Sequence, residues 1–214
     1  MHQNNFKLEC AVLLALMLFL NGCFGGGSQT PATRFYILNS LYSAENTNQP
    51  KSVTVLENAS LGVGPIKLSQ VLDRPQIIMR TSKNEIQVAD LDRWAAPLTE
   101  IITNVLVDNL SALLSTGSIL KFPWRLTIPI DYQIVVVLTR FDGMRGGNVD
   151  MRARWGILGE NGQKVYIKKK TVLTEPISGD TISEMVSAQS RLMAKLSLEI
   201  ADEIKTLEEK KSGQ

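Results

Sequence analysis

Ile134-Val135-Val136-Val137-Leu138, inside Asp131 to Phe141, is β-branched, uninterrupted and too short for a helix. That composition predicts a strand buried on both faces at the centre of a sheet. Val149, Met151, Ala153, Trp155 and Ile157 then alternate strictly with Asp150, Arg152, Arg154 and Gly156, giving a strand one apolar and one wet face. Gly143-Met144-Arg145-Gly146-Gly147 has glycines but neither a following helix nor a Lys-Ser/Thr pair, so it reads as a hairpin turn and not as a phosphate loop. Gly159-Glu160-Asn161-Gly162 turns the chain again, into Lys164 to Leu173.

On either side of this hairpin the apolar period changes to three and four residues. Downstream, Thr181-Ile182-Ser183-Glu184 forms a capping box, and the stripe from Ile182 through Leu192, Leu196 and Ile200 predicts a helix to about Leu207. The remaining tail, Glu208 to Gln214, is too polar to pack. Upstream, Trp94, Leu98, Ile101, Ile102, Val105, Leu106, Leu110, Leu113 and Leu114 predict a second helix, with Asp90 or Asp92 as its cap, Pro97 in its first turn and Gly117 past its end. The segments before it read as strands: Arg34 to Leu38, then, after a polar loop from Asn39 to Ser52, Val53 to Leu56 and Leu61 to Ile66, broken by Gly64-Pro65. Gln76 to Arg80 and Glu85 to Ala89 flank Thr81 to Asn84 as a hairpin. The expected fold is a two-layer α/β sandwich over residues 33–207, one mixed, mainly antiparallel sheet with two long amphipathic helices on one face.

The chain has 214 residues, 44% of them hydrophobic, with 23 basic and 21 acidic side chains. Neither a disordered chain nor a multi-span membrane protein has this composition. A net charge of +2 without a dominant basic block sets nucleic-acid binding aside. Cys10 to Leu20 is an uncharged run of 11 residues, too short for a membrane span but the length of a secretory signal's apolar core. Leu20-Asn21-Gly22-Cys23 follows it and resembles the lipobox of bacterial lipoproteins, in which the signal, here residues 1–22, is removed and the cysteine carries diacylglycerol on sulfur and an acyl chain, typically palmitate, on nitrogen. Phe24 to Ala32 is then a flexible tether spanning at most about 30 Å at roughly 3.3 Å per residue. Phe24, where Asp would signal inner-membrane retention, resembles an outer-membrane address.

Cleavage discards His2 and Cys10, so the remaining chain has Cys23 as its one cysteine and no histidine. No Ser-His-Asp triad, Cys-His pair or His/Cys zinc site is available to it, and no catalytic, metal or cofactor residue is identified. Asp90 and Asp92 suit capping far better than paired acid/base work. Lys168-Lys169-Lys170 either keeps a sheet edge from pairing or attracts anionic lipid head groups. Trp94 and Trp155 fall on core faces, which leaves Arg93 and Arg154, pointing the other way, as candidate partner contacts.

Phe35-Tyr36-Ile37-Leu38 soon after the lipobox, Leu61-Gly62-Val63-Gly64-Pro65, Asp73-Arg74-Pro75-Gln76-Ile77, Arg93-Trp94-Ala95-Ala96-Pro97-Leu98 with Asn109-Leu110, and Arg152-Ala153-Arg154-Trp155 together resemble the PqiC/YmbA lipoproteins. The resemblance implies a fold like the N-terminal domain of TolB. It also implies a non-enzymatic outer-membrane lipoprotein on the periplasmic face, auxiliary to an MCE-type lipid transport system. In that role the protein would be a ring-forming homo-oligomer and docking collar for a periplasmic MCE tube that passes phospholipid or another hydrophobic cargo. The alternative of a different class is a monomeric lipoprotein that chaperones or plugs an outer-membrane assembly complex.

Overall fold

Tyr132–Gly143 is the strand on which the rest of the sheet is assembled. A computed structural model of the chain describes residues 31–40, 59–116, 118–124 and 129–213. In chain order the elements are β1 (Arg34–Tyr36), β2 (Leu61–Leu68), β3 (Gln76–Arg80), β4 (Ile86–Trp94), α1 (Leu98–Leu114), β5 (Ile119–Lys121), β6 (Tyr132–Gly143), β7 (Asn148–Gly159), β8 (Lys164–Pro176) and α2 (Ile182–Ser212). The eight strands form one curled, mixed sheet. β6 pairs in parallel with β2 and, through Met79 and Gly143, with β3; on its other side it pairs antiparallel with β7, and β7 with β8. β3 and β4 are antiparallel, whereas β1 runs parallel to β4 and β5 parallel to β2.

The central position of β6 agrees with its β-branched run, but its burial is one-sided. Ile134, Val136 and Leu138 are at most 1% exposed, while Val135 and Val137 are half-buried. Both helices pack on the face of the sheet that carries the first set, α1 over β2 and β5 and α2 over β6, β7 and β8, and no described element covers the second. Valines on the helix-free face are shielded only by neighbouring side chains, so an apolar run does not here mean two dry faces.

Both turns of the predicted hairpin are present. Gly147 N–H donates to the Met144 carbonyl at 2.9 Å, with Gly146 at φ +63°. Glu160 and Asn161 both have positive φ, the geometry whose twist matches right-handed strands. The capping box also forms, since Glu184 N–H donates to Thr181 Oγ1 at 3.2 Å and Thr181 N–H to Glu184 Oε2 at 3.0 Å.

Four boundaries differ from expectation. β4 runs on to Trp94, so Trp94 reaches the core from a strand end and neither Asp90 nor Asp92 caps a helix. Helix α1 begins only after Ala95-Ala96-Pro97, with Pro97 at its N-cap and Ser115 in the left-handed conformation at its C-cap. Gly64-Pro65 does not break β2. The ladder to β6 shifts register between Val63 and Ile66, and Gln133 Nε2 donates to the Gly64 carbonyl at 2.9 Å. Helix α2 continues through Ser212, because Glu208 to Lys211 are good helix formers, Lys210 and Lys211 complement the helix dipole, and the Tyr132 hydroxyl donates to Glu208 at 2.5 Å. Val53 to Leu56, most of the preceding loop and Gly117 lie outside the described residues.

Leu138 is fully buried beneath α2. Leu138→Ala is expected to destabilise the fold by about 2–5 kcal/mol and Thr181→Ala by about 1 kcal/mol, both read as midpoint shifts in urea unfolding followed by tryptophan fluorescence.

Candidate functional site

The helix-free face of β6, β7 and β8 is rich in cations. Asp142, 2% exposed, accepts from Arg80 Nε at 2.7 Å and from Arg140 Nε at 3.1 Å. Arg140 also reaches Asp150 through Nη2 at 2.6 Å. These two carboxylates face each other across the β6–β7 hairpin, and Thr174 Oγ1 donates to Asp150 at 2.8 Å. A buried aspartate between two guanidinium groups has its charge compensated. Arg152, Arg154, Lys168 and Lys170, on the same face of β7 and β8, are exposed and enter no ion pair among the described residues. The middle lysine of the run points the other way, and Lys169 pairs with Glu203 of α2. Among the described residues β8 pairs only with β7, so its lysines lie on an edge strand, where charge discourages edge-to-edge association.

The expected site residues are dispersed. Arg93 is on β4, half-buried, and its Nε is buried without a hydrogen-bond partner among the described residues. Arg154 is on β7, exposed. β3 and β6 lie between the two strands, so the structure does not bring these arginines together. Cys23 lies outside the described residues. Trp94 and Trp155 are core residues, 5% and 2% exposed. The Trp155 indole N–H donates to Thr171 Oγ1 at 2.9 Å, and Thr171 donates to Glu199 of α2 at 2.5 Å, which ties β7, β8 and the helix together.

Asp90 and Asp92 do not form a carboxylate pair. Asp90 is exposed, whereas Asp92 is 6% exposed and accepts from Arg34 Nε at 2.7 Å and the Tyr36 hydroxyl at 2.8 Å, closing β1 onto β4. Burial pushes the Asp92 carboxyl up, but these hydrogen bonds and the Arg34 charge outweigh it and hold the group below its ordinary value. Glu175 is similar: burial raises it, and Lys195 and Arg191, each at 2.6 Å, bring it below the ordinary range. Among the described residues no group of three or more His, Cys, Asp and Glu side chains is placed to hold a metal, and no helix is long and apolar enough to cross a membrane.

A family model described as the ABC-type transport auxiliary lipoprotein component matches residues 40–201, a stretch that includes both arginines. The chain belongs to this family. It is a family of transport auxiliaries and not of enzymes. The chain is 27% identical over 190 residues to the Intermembrane transport lipoprotein PqiC of Escherichia coli K12, across 89% of this chain and 94% of that protein, and equally to its Shigella flexneri counterpart. Two solved structures share the fold. One, of an uncharacterised protein, superposes with a TM-score of 0.66 at 24% identity over 81% of this chain and 99% of its own. The other, from Xanthomonas campestris, gives 0.70 at 16% identity over 85% of this chain and 100% of its own. The resemblance to PqiC/YmbA lipoproteins carried by the short motifs is therefore a family relationship.

Sequence reading missed the Arg80–Asp142–Arg140–Asp150 network. The signal was available, since a hairpin turning through Gly143 to Gly147 sets Asp142 opposite Asp150, and two facing carboxylates require cations.

Asp92 and Glu175 each hold a proton less tightly folded than unfolded, so the stability they add is complete at neutral pH. It is lost as the pH falls through their ordinary values of 3.8 and 4.5 toward the lower folded ones. An Asp92→Asn/Glu175→Gln variant is expected to show a flatter decline of unfolding midpoint in that acid range than the parent, with matching slopes above about pH 6.

Proposed function

We propose that this protein is the outer-membrane lipoprotein subunit of an MCE-type intermembrane lipid transport system. The similarity to an intermembrane transport lipoprotein over 89% of the chain carries the reading, and the lipobox at Leu20 to Cys23 supports it. Residues 1–22 are the export signal. Cys23 carries an N-acyl group and S-diacylglycerol, and residues 24–32 tether the folded domain to the periplasmic face of the outer membrane. One acyl chain gives only marginal, reversible binding, whereas three give stable anchoring. The domain is a two-layer α/β sandwich of the TolB N-terminal-domain type. Copies of it close head to tail into a ring, as a cyclic assembly requires. The ring serves as a docking collar for the end of an MCE tube, through which phospholipid passes, and so supports envelope integrity.

Arg93 and Arg154 are the proposed partner contacts. Arg93 is half-buried, with its Nε unpartnered among the described residues, and Arg154 is exposed and enters no ion pair among them. With the two arginines separated by β3 and β6, they serve different contacts of one assembly.

Cys23→Ala is expected to shift the protein from the membrane to the soluble periplasmic fraction with its unfolding midpoint unchanged; a protein still firmly in membranes refutes the anchor. Light scattering and negative-stain imaging of the lipoprotein in mild detergent, with and without its MCE component, are expected to show a closed ring. A strict monomer under both conditions refutes the collar. Arg93→Glu or Arg154→Glu is expected to weaken ring formation or docking by about tenfold at unchanged fold, read by co-purification with the MCE component.

A further inference from the structure

Gly156 interrupts the row of basic side chains on the helix-free face of β7. Its neighbours across the sheet are Val135 of β6 and Lys168 of β8, and the adjoining row is Val137, Arg154 and Lys170. A Cβ at Gly156 would meet the Ile167 carbonyl oxygen at 2.8 Å, so the close approach of β8 excludes any larger residue there. A hollow of about 370 Å³, within the lower range of small-molecule sites, lies on this face with Gly156 in its lining. Val135, Val137, Leu158 and Val165 line it, and Val165 is 61% exposed. Arg154 and Lys168 stand at its rim, and neither enters an ion pair among the described residues. The carboxylates on this face of β6 and β7, Asp142 and Asp150, are already held by Arg80 and Arg140.

An apolar floor with two uncompensated cations at its lip matches a molecule that carries an anionic group next to an acyl chain. We infer that the groove over Gly156 binds an anionic phospholipid, with the head-group phosphate between Arg154 and Lys168 and the first part of one acyl chain along Val135, Val137 and Leu158. The inference rests on the lipid-transport reading for the source of the ligand, and it names Arg154 as a lipid contact of that assembly. A free phosphate would use the same cations but would leave the valine floor uncovered.

The test uses the full lipoprotein in maltoside micelles, a phosphatidylglycerol bearing a diazirine on its acyl chain as probe, and peptide mass spectrometry to map the adducts. Adducts are expected on peptides holding Val135 to Val137 and Leu158 to Lys168. Their yield is expected to fall by about thirtyfold in an Arg154→Gln/Lys168→Gln variant, the effect of taking two surface cations from an anionic ligand. Val165→Asn, at an exposed position, is expected to lower the yield with the cations intact and the unfolding midpoint unchanged. Equal labelling by the phosphatidylcholine analogue, adducts confined to other strands, or full labelling of the double variant overturns the inference. Loss of labelling on adding inorganic phosphate, with no dependence on Val165, assigns the site to free phosphate and overturns it as well. Co-purification with the MCE component is read on the same samples: labelling without docking leaves the groove and removes the collar, and docking without labelling does the reverse.

Discussion

β6 has partners on both edges and helices on one face, and most of the structure follows from satisfying it. Its N-terminal half needs β2 and its C-terminal end meets β3, while β7 runs along the whole opposite edge. That arrangement brings segments far apart in the chain beside one another, and α1 and α2 cover the same face of the sheet, α1 over β2 and β5 and α2 over β6, β7 and β8. Two polar side chains within that core donate hydrogen bonds: Asn109 Nδ2 to Ser197 Oγ at 3.1 Å between the helices, and Gln189 Nε2 to the Phe141 carbonyl at 2.9 Å, while Gln189 Oε1 has no partner among the described residues. Buried polar atoms satisfied in this way specify which faces of the two helices meet.

Dry packing on one side leaves the other side to electrostatics. Asp142 and Asp150 balance Arg80 and Arg140 at the β3–β6 junction, and beyond it the cations of β7 and β8 outnumber the carboxylates that face them. Alternation along β7 places these charges where the chain meets solvent, and the same alternation places Trp155 in the core, anchored through Thr171 to Glu199. Fold and surface are thus two readings of one period-two pattern.

The parts of the fold legible in the sequence were those governed by local rules. The β6–β7–β8 meander, its two turns, the Thr181 capping box and both helix stripes follow from alternation, turn chemistry and the 3.6-residue period. What was not legible depends on residues distant in the chain. Trp94 continues the helical spacing of Leu98 and Ile101, yet its strand is fixed by Arg34 and Tyr36, some sixty positions earlier, binding Asp92. Gly64-Pro65 looks like a break because the Gln133 amide that reaches the Gly64 carbonyl lies in another strand. The hollow at Gly156 was equally hidden, since a glycine within an alternating strand shows its purpose only when the backbone it accommodates, at Ile167, is located. For the site, Arg154 was found on the exposed face as its alternation implied, whereas the buried Nε of Arg93 depends on packing that no spacing reveals.

β1 has only three residues, yet it is the first element after the tether and it carries both donors to Asp92. With Cys23 as the anchor proposed above, any pull between membrane and domain enters the fold at Arg34. A force along β1 loads its three registered pairs with β4 together, in shear, and the guanidinium and phenol clamps on one carboxylate add to that resistance. The carboxylate they grip sits two residues before Trp94, at the margin of the core. Protonation of that one carboxylate in acid weakens both clamps together, so the link by which β1 joins the sheet is acid-sensitive.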